Sequence, residues 1–166
     1  MAGEEEAIPR LRPFASGDLG ALLELSIRAW EPVFDALEQV LGPEILRRMH
    51  PDWRADQRRA VEEACRSQEV SVWVAEAEGE LAGFVGLRTN EDEHLGEIYI
   101  IAVDPAHQRS GVGTALTRLA LDELADAGMT VAMVETGGDP GHAPARDLYE
   151  RCGFTLMPVA RYFKAL

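Results

Sequence analysis

Apolar residues recur along the chain with two different periods, and the change of period divides it. Residues 8–12 alternate apolar and basic side chains and predict a short first strand. Leu19, Leu22, Leu23, Ile27 and Trp30, with Ser26 among them, follow an i, i+3, i+4 spacing, which predicts an amphipathic helix capped by Ser16 or Asp18. Pro32 predicts a break or a restart, because proline removes a helical N–H and crowds the preceding turn. A second helical run, 33–41, stops at Gly42-Pro43; 43–53 reads as irregular or briefly helical, and 54–67 as another helix.

From residue 70 the period becomes that of strands. The β-branched run 70–75, a turn at Glu78-Gly79-Glu80 and the run 81–88 predict a hairpin. Residues 95–103 predict a buried strand ended by Asp104-Pro105. Val112, Leu116, Leu119, Ala120 and Leu124 then predict a helix over 111–127, closed by Gly128. A strand at 130–134, a Gly/Pro-rich loop at 137–141, a short helix at 143–151 ended by Gly153 and a final strand over 154–163, either continuous or interrupted near Pro158, complete the pattern. The order is that of an α+β single domain spanning 1–166, with 1–7 expected to be disordered.

Composition narrows the function. The chain has 166 residues and a net charge of −13, with 29 Asp and Glu against 16 Lys and Arg, and Lys164 is its one lysine. That balance argues against nucleic acid, because phosphate-backbone binding needs a basic face. No apolar run approaches the roughly 20 residues that span a bilayer. The start is acidic rather than basic-then-apolar, so the expected location is cytoplasmic, with no membrane partner. Ten acids fall between Glu62 and Glu97, against Arg66 and Arg88 alone. This region either serves solubility or attracts a cationic substrate. Cys65 and Cys152 make neither a disulfide framework nor a zinc cluster, and the four histidines show no metal spacing.

The chemistry concentrates after the strand at 95–103. It runs into Gln108-Arg109-Ser110-Gly111-Val112-Gly113-Thr114 and then into a helix. This aims free backbone N–H groups and the positive end of a helix at one point, as a pyrophosphate requires. Glycines let the backbone approach, Arg109 adds a cation and Thr114 a hydroxyl. Two nucleotide motifs fit badly: a P-loop needs Lys-Ser/Thr where this chain has Thr114-Ala115, and a dinucleotide fingerprint needs a third glycine.

The Q-R-S-G-V-G run after V-D-P resembles the acetyl-CoA signature of the GNAT superfamily of N-acetyltransferases, usually written Q/R-x-x-G-x-G/A. The segment Ala145-Arg146-Asp147-Leu148-Tyr149-Glu150-Arg151-Cys152-Gly153-Phe154 is similar to that family's later motif, A-x-x-L/F-Y-x-x-x-G-F. The element order agrees from about residue 8 to 163. The resemblance implies a mixed, mostly antiparallel sheet flanked by helices, in which two central strands splay and admit pantetheine. Main-chain groups near Ile101 and Val103 would bind pantetheine, and the amides from Gln108 to Thr114, with Arg109, would hold the pyrophosphate. Where many members carry an Asn, this chain has His142, which either replaces that polar contact or lies on the surface.

Acetyl transfer from acetyl-CoA needs a neutral amine, an oxyanion donor and a proton for the thiolate. An alkyl ammonium has a pKa of about 10.4, so it must lose a proton first. The resemblance makes Tyr149 the candidate acid and Glu97 the candidate base, directly or through a water; the alternative base is a water chain alone. Trp30, Phe34 and Trp53 are candidates for the acceptor wall, with core packing the competing role. The reading is an acetyl-CoA-dependent N-acetyltransferase with no metal, acting by direct attack of a small-molecule or peptide amine. Its rivals are a silent CoA-binding sensor and a transferase of a longer acyl group, the latter depending on the residues beside Ile98 and Ile100. Dimer formation through the last strand stays open.

Overall fold

The computed structural model describes residues 8–166, so the expectation for 1–7 lies outside the described residues. Five strands form one sheet in sequence order: β1 (Arg10–Pro13), β2 (Ser71–Ala77), β3 (Glu80–Asn90), β4 (Leu95–Val103) and β5 (Val131–Val134). Every neighbouring pair is antiparallel except β4 and β5, which run parallel. The helices are α1 (Leu19–Leu41), α2 (Pro43–Met49), α3 (Trp53–Arg66), α4 (Val112–Asp126) and α5 (Ala143–Arg151).

Helices cover both faces of the sheet, and strand alternation divides the core between them. Val74 and Phe84 point to the side of Leu22 and Leu25 of α1 and Val61 of α3. Their neighbours Ala75 and Val85 point the other way, onto Val112, Leu116, Ala120 and Leu124 of α4. Burial on both sides explains why β3 reads as an unbroken apolar run from Ala82 to Leu87. No helix of the described residues is long and apolar enough to cross a membrane.

Three local expectations are corrected. Pro32 does not break the first helix: α1 continues through it to Leu41. A mid-helix proline costs about 3 kcal/mol, and the segment beyond it is held by tertiary packing. Phe34 stacks on Trp53 of α3 with ring centroids 4.4 Å apart, and Val33 and Ala36 carry the loop that precedes α5. Neither Ser16 nor Asp18 caps α1 through its side chain. Asp18 instead accepts from the Ala15 amide at 2.8 Å and from Arg12 at 2.7 Å, tying the helix entry to β1. The predicted final strand is absent: residues 154–166 carry no regular secondary structure. Pro158 offers no N–H to a ladder, and Leu156, Met157, Val159 and Tyr162 lie exposed. Among the described residues β1 and β5 are therefore the two edges of the sheet.

Two irregularities shape the centre of the sheet. Leu87 opposes Ile98 while Gly86 opposes Ile100, so Tyr99 is an extra residue in β4, a β-bulge. β5 pairs with β4 only from Leu95 to Ile98. From Tyr99 to Val103 the edge of β4 that faces away from β3 carries no strand among the described residues, which is the expected splay.

Candidate active site

The open edge of β4 forms one wall of a cleft of about 740 Å³. Trp30 and Val33 of α1 and His142, Leu148 and Tyr149 around α5 line it further, and Gln108, Arg109, Gly111, Gly113 and Thr114 close one end.

That end begins at Asp104, where β4 stops. Asp104 is buried; one carboxylate oxygen accepts from the Ala106 amide at 3.0 Å and the other from Arg28 of α1, with Nε at 3.1 Å. Burial opposes its charge, but the Arg28 and Ala106 hydrogen bonds outweigh that, and the carboxyl sits below its ordinary range. The chain then turns through two left-handed residues, Arg109 (φ 62°) and Gly111 (φ 79°). The first carbonyl bond into α4 is Ala115 N–H to Gly111 O. No backbone carbonyl of the described residues takes the amides of 109–114. A row of unsatisfied donors at a helix N-terminus is an anion site. Gly113 lets α5 approach, since a Cβ there would meet Leu148 at 3.1 Å. The residues present thus suit a pyrophosphate followed by an extended arm along β4, where free main-chain groups can pair with it as an added strand.

Tyr149 is buried within the cleft wall. Gly153 (φ 91°) ends α5 and folds Phe154 back, its amide donating to the Tyr149 carbonyl at 3.0 Å and its ring meeting Tyr149 edge-on at 5.8 Å. Burial pushes the phenol up to about 12, so it holds its proton at neutral pH.

The structure brings Ile101, Val103, Gln108, Arg109, Gly111, Gly113, Thr114, His142, Trp30 and Tyr149 to one cleft. Ser110 and Val112 belong to the same loop without lining it: Ser110 bonds the His107 carbonyl and Val112 packs into the core. Glu97 does not line the cleft. It opposes Arg88 on β3, whose Nε and Nη2 donate to one of its oxygens at 3.1 and 2.7 Å. Arg88 also lies over Tyr99, 3.7 Å from the ring centre. Phe34 and Trp53 stack on each other between α1 and α3 and stay out of the cleft, with Arg54 over Trp53.

Several lining residues escaped the sequence reading. Tyr99 reaches the cleft because of the bulge, which no local pattern announces. Thr136, Glu135 and Arg151 line it as well; Arg151 lies inside the later motif, but its orientation depends on how α5 docks. None of the ten acids from Glu62 to Glu97 lines the cleft, so any pull they exert on a cation acts at a distance.

Such an arrangement, a splayed parallel pair beside an amide-lined loop, suits a nucleotide with an extended arm. Residues 30–154 match the model of the Acetyltransferase (GNAT) family, and the chain belongs to that family. It is 34% identical over 155 residues to a mycothiol acetyltransferase of Amycolatopsis mediterranei (strain U-32), covering 87% of this chain and 46% of that one. The chain spans less than half the length of the curated relatives it matches. Its fold is similar to a ribosomal-protein alanine N-acetyltransferase from Escherichia coli (TM-score 0.65, 21% identity, 91% of this chain and 80% of that one). It is also similar to the PaiA N-acetyltransferase of Thermoplasma acidophilum in complex with coenzyme A (TM-score 0.69, 14% identity, 93% and 94%).

Proposed function

We propose that the chain is an acetyl-CoA-dependent N-acetyltransferase that acetylates a primary amine held in the cleft near Trp30 and Tyr99. The observation that carries this reading is the continuity of one cleft from the free amides of 109–114, along the unpaired edge of β4, to the buried Tyr149 hydroxyl. Acetyl-CoA would supply the acetyl group as an activated thioester.

The chain's own residues have four tasks. The amides of 109–114 and the Arg109 guanidinium bind the pyrophosphate. Main-chain groups at Ile101 and Val103 align the pantetheine arm. An unpaired main-chain N–H of the bulged segment is placed to receive negative charge developing on the carbonyl oxygen. Tyr149, protonated at neutral pH, gives its proton to the departing sulfur. Glu97 is engaged by Arg88 and stands off the cleft, so it can accept a proton only by way of water.

The acceptor is a small-molecule or peptide amine. A relative named mycothiol acetyltransferase supports the small molecule, and the cleft offers a partly aromatic wall for it. A panel of polyamines, aminoglycosides, amino-acid derivatives and peptides, assayed by thiol release with product mass spectrometry, tests the reading. Turnover on at least one amine is expected. CoA binding with no turnover on any amine refutes it and leaves the sensor.

A further inference from the structure

We propose that His142 takes the proton from the acceptor ammonium, with Asp139 as its positioning residue; this rests on the transferase reading above. His142 lines the cleft at the N-terminal end of α5. Tyr149 stands two turns further along the same helix, and helical side chains lean toward the N-terminus. Both side chains line the same cleft. His142 Nδ1 lies 2.6 Å from Asp139 Oδ1.

The surroundings of this dyad are built for it. The Asp139 side chain is 6% exposed, and its second oxygen is buried with no hydrogen-bond partner. A buried carboxylate oxygen left without a partner is costly. Burial opposes its charge and the His142 contact restores it, so Asp139 stays below the ordinary carboxylate range. Gly137 makes the room: a Cβ there would stand 2.3 Å from Asp139 Oδ1 and 2.6 Å from His142 Nδ1. Arg146 donates to the carbonyls of Gly137 (2.6 Å) and Asp139 (2.8 Å), which staples the loop. Gly141 presses against Val33 and Ala36 of α1. The other charged or titratable groups that share the cleft are Tyr99, Arg109, Glu135, Tyr149 and Arg151; from α1, Val33 and Ala36 lie beside Gly141.

The chemistry follows from the tautomer this contact selects. Asp139 accepts the Nδ1–H, which leaves the Nε2 lone pair free. One N–H bond of the ammonium breaks and an Nε2–H bond forms, giving a neutral amine and an imidazolium paired with Asp139. The amine lone pair forms the C–N bond as the C–S bond breaks, and Tyr149 gives its proton to the sulfur. The nitrogen's second proton restores the Tyr149 phenol through solvent, and the imidazolium releases its proton to water. Glu97 does not line the cleft, and one of its oxygens is held by two Arg88 nitrogens.

The test compares His142→Gln, Asp139→Asn, the double variant and Glu97→Gln with the wild type, using the best amine of the panel. His142→Gln is expected to lower kcat about 10²–10⁴-fold and to abolish the acid limb of the pH–rate profile. Its Kd for CoA, by calorimetry, stays within about twofold of wild type, and the double variant is no slower than His142→Gln alone. In the resting protein, nitrogen NMR of the imidazole reports Nδ1–H in the wild type and loss of that preference in Asp139→Asn. The proposal is overturned if His142→Gln keeps the acid limb, if it weakens CoA instead of slowing turnover, or if Glu97→Gln removes the limb. If the wild type acetylates no amine at all, the transferase reading fails and the proposal with it.

Discussion

Gly83 holds α4, and with it the cofactor loop, at its distance from the sheet. A Cβ built on Gly83 stands 2.8 Å from the Ala102 carbonyl oxygen, 3.0 Å from Leu116 and 3.1 Å from Val112. The carbonyl falls about 0.6 Å short of the 3.4 Å at which ordinary contact begins. It belongs to the backbone of β4, while Leu116 and Val112 are 0% and 1% exposed, so none of the three can swing aside. Gly83→Ala must therefore push the first turn of α4 outward. Overpacking of this kind costs about 1–3 kcal/mol, which in a chain of this size lowers Tm by about 2–12 °C. The displaced turn carries the amides of 112–114, and losing about 1 kcal/mol of hydrogen bonding raises the Kd for CoA about fivefold. Thermal melts and calorimetric CoA titrations of Gly83→Ala read both effects. Gly20→Ala, in α1 with open space around it, is the control and gains about 0.5–1 kcal/mol. A Gly83→Ala protein that melts at or above wild type and binds CoA equally well refutes the reasoning.

Tyr149→Phe keeps the ring against Phe154 and removes the proton, so kcat falls about 10²-fold with the KM for acetyl-CoA unchanged; a loss confined to KM would contradict the acid role. Arg109→Asn preserves a left-handed backbone at low cost while removing the cation. It should weaken CoA about tenfold and flatten the salt dependence of binding, both read by titration at two ionic strengths. Asp18, Asp104 and Asp139 all sit below the ordinary aspartate value of 3.8. Their contribution is complete above that unfolded value and is lost as pH falls through the folded values. Melting temperature should thus drop steeply on acidification below about pH 4, and Asp104→Asn should make the drop shallower.

Local pattern was enough for most of the fold, because each buried face carries its period in the chain. The 3.6-residue spacing from Leu19 and from Val112 and the strand runs around 72 and 84 correspond to the observed elements. The loop from Gln108 to Thr114 was legible for a similar reason: an anion site made of backbone amides needs only glycines, a turn and a helix start, which are consecutive residues. Pro32 and residues 154–163 were misread because proline tolerance and strand formation depend on partners elsewhere, Trp53 against Phe34 in one case and a missing neighbour to β5 in the other. The bulge that turns Tyr99 into the cleft comes from the register of β3 against β4, and the pairing that takes Glu97 away from it comes from Arg88 across the strands. Asp139 and His142 are three residues apart, and the sequence singles out His142 alone. They become a dyad only because the loop is pinned on α1, which buries the carboxylate and leaves the imidazole as its one side-chain partner among the described residues. Linear pattern encodes which surfaces must be buried; which side chains then meet in the cleft is decided by register and docking, and those are properties of the whole chain.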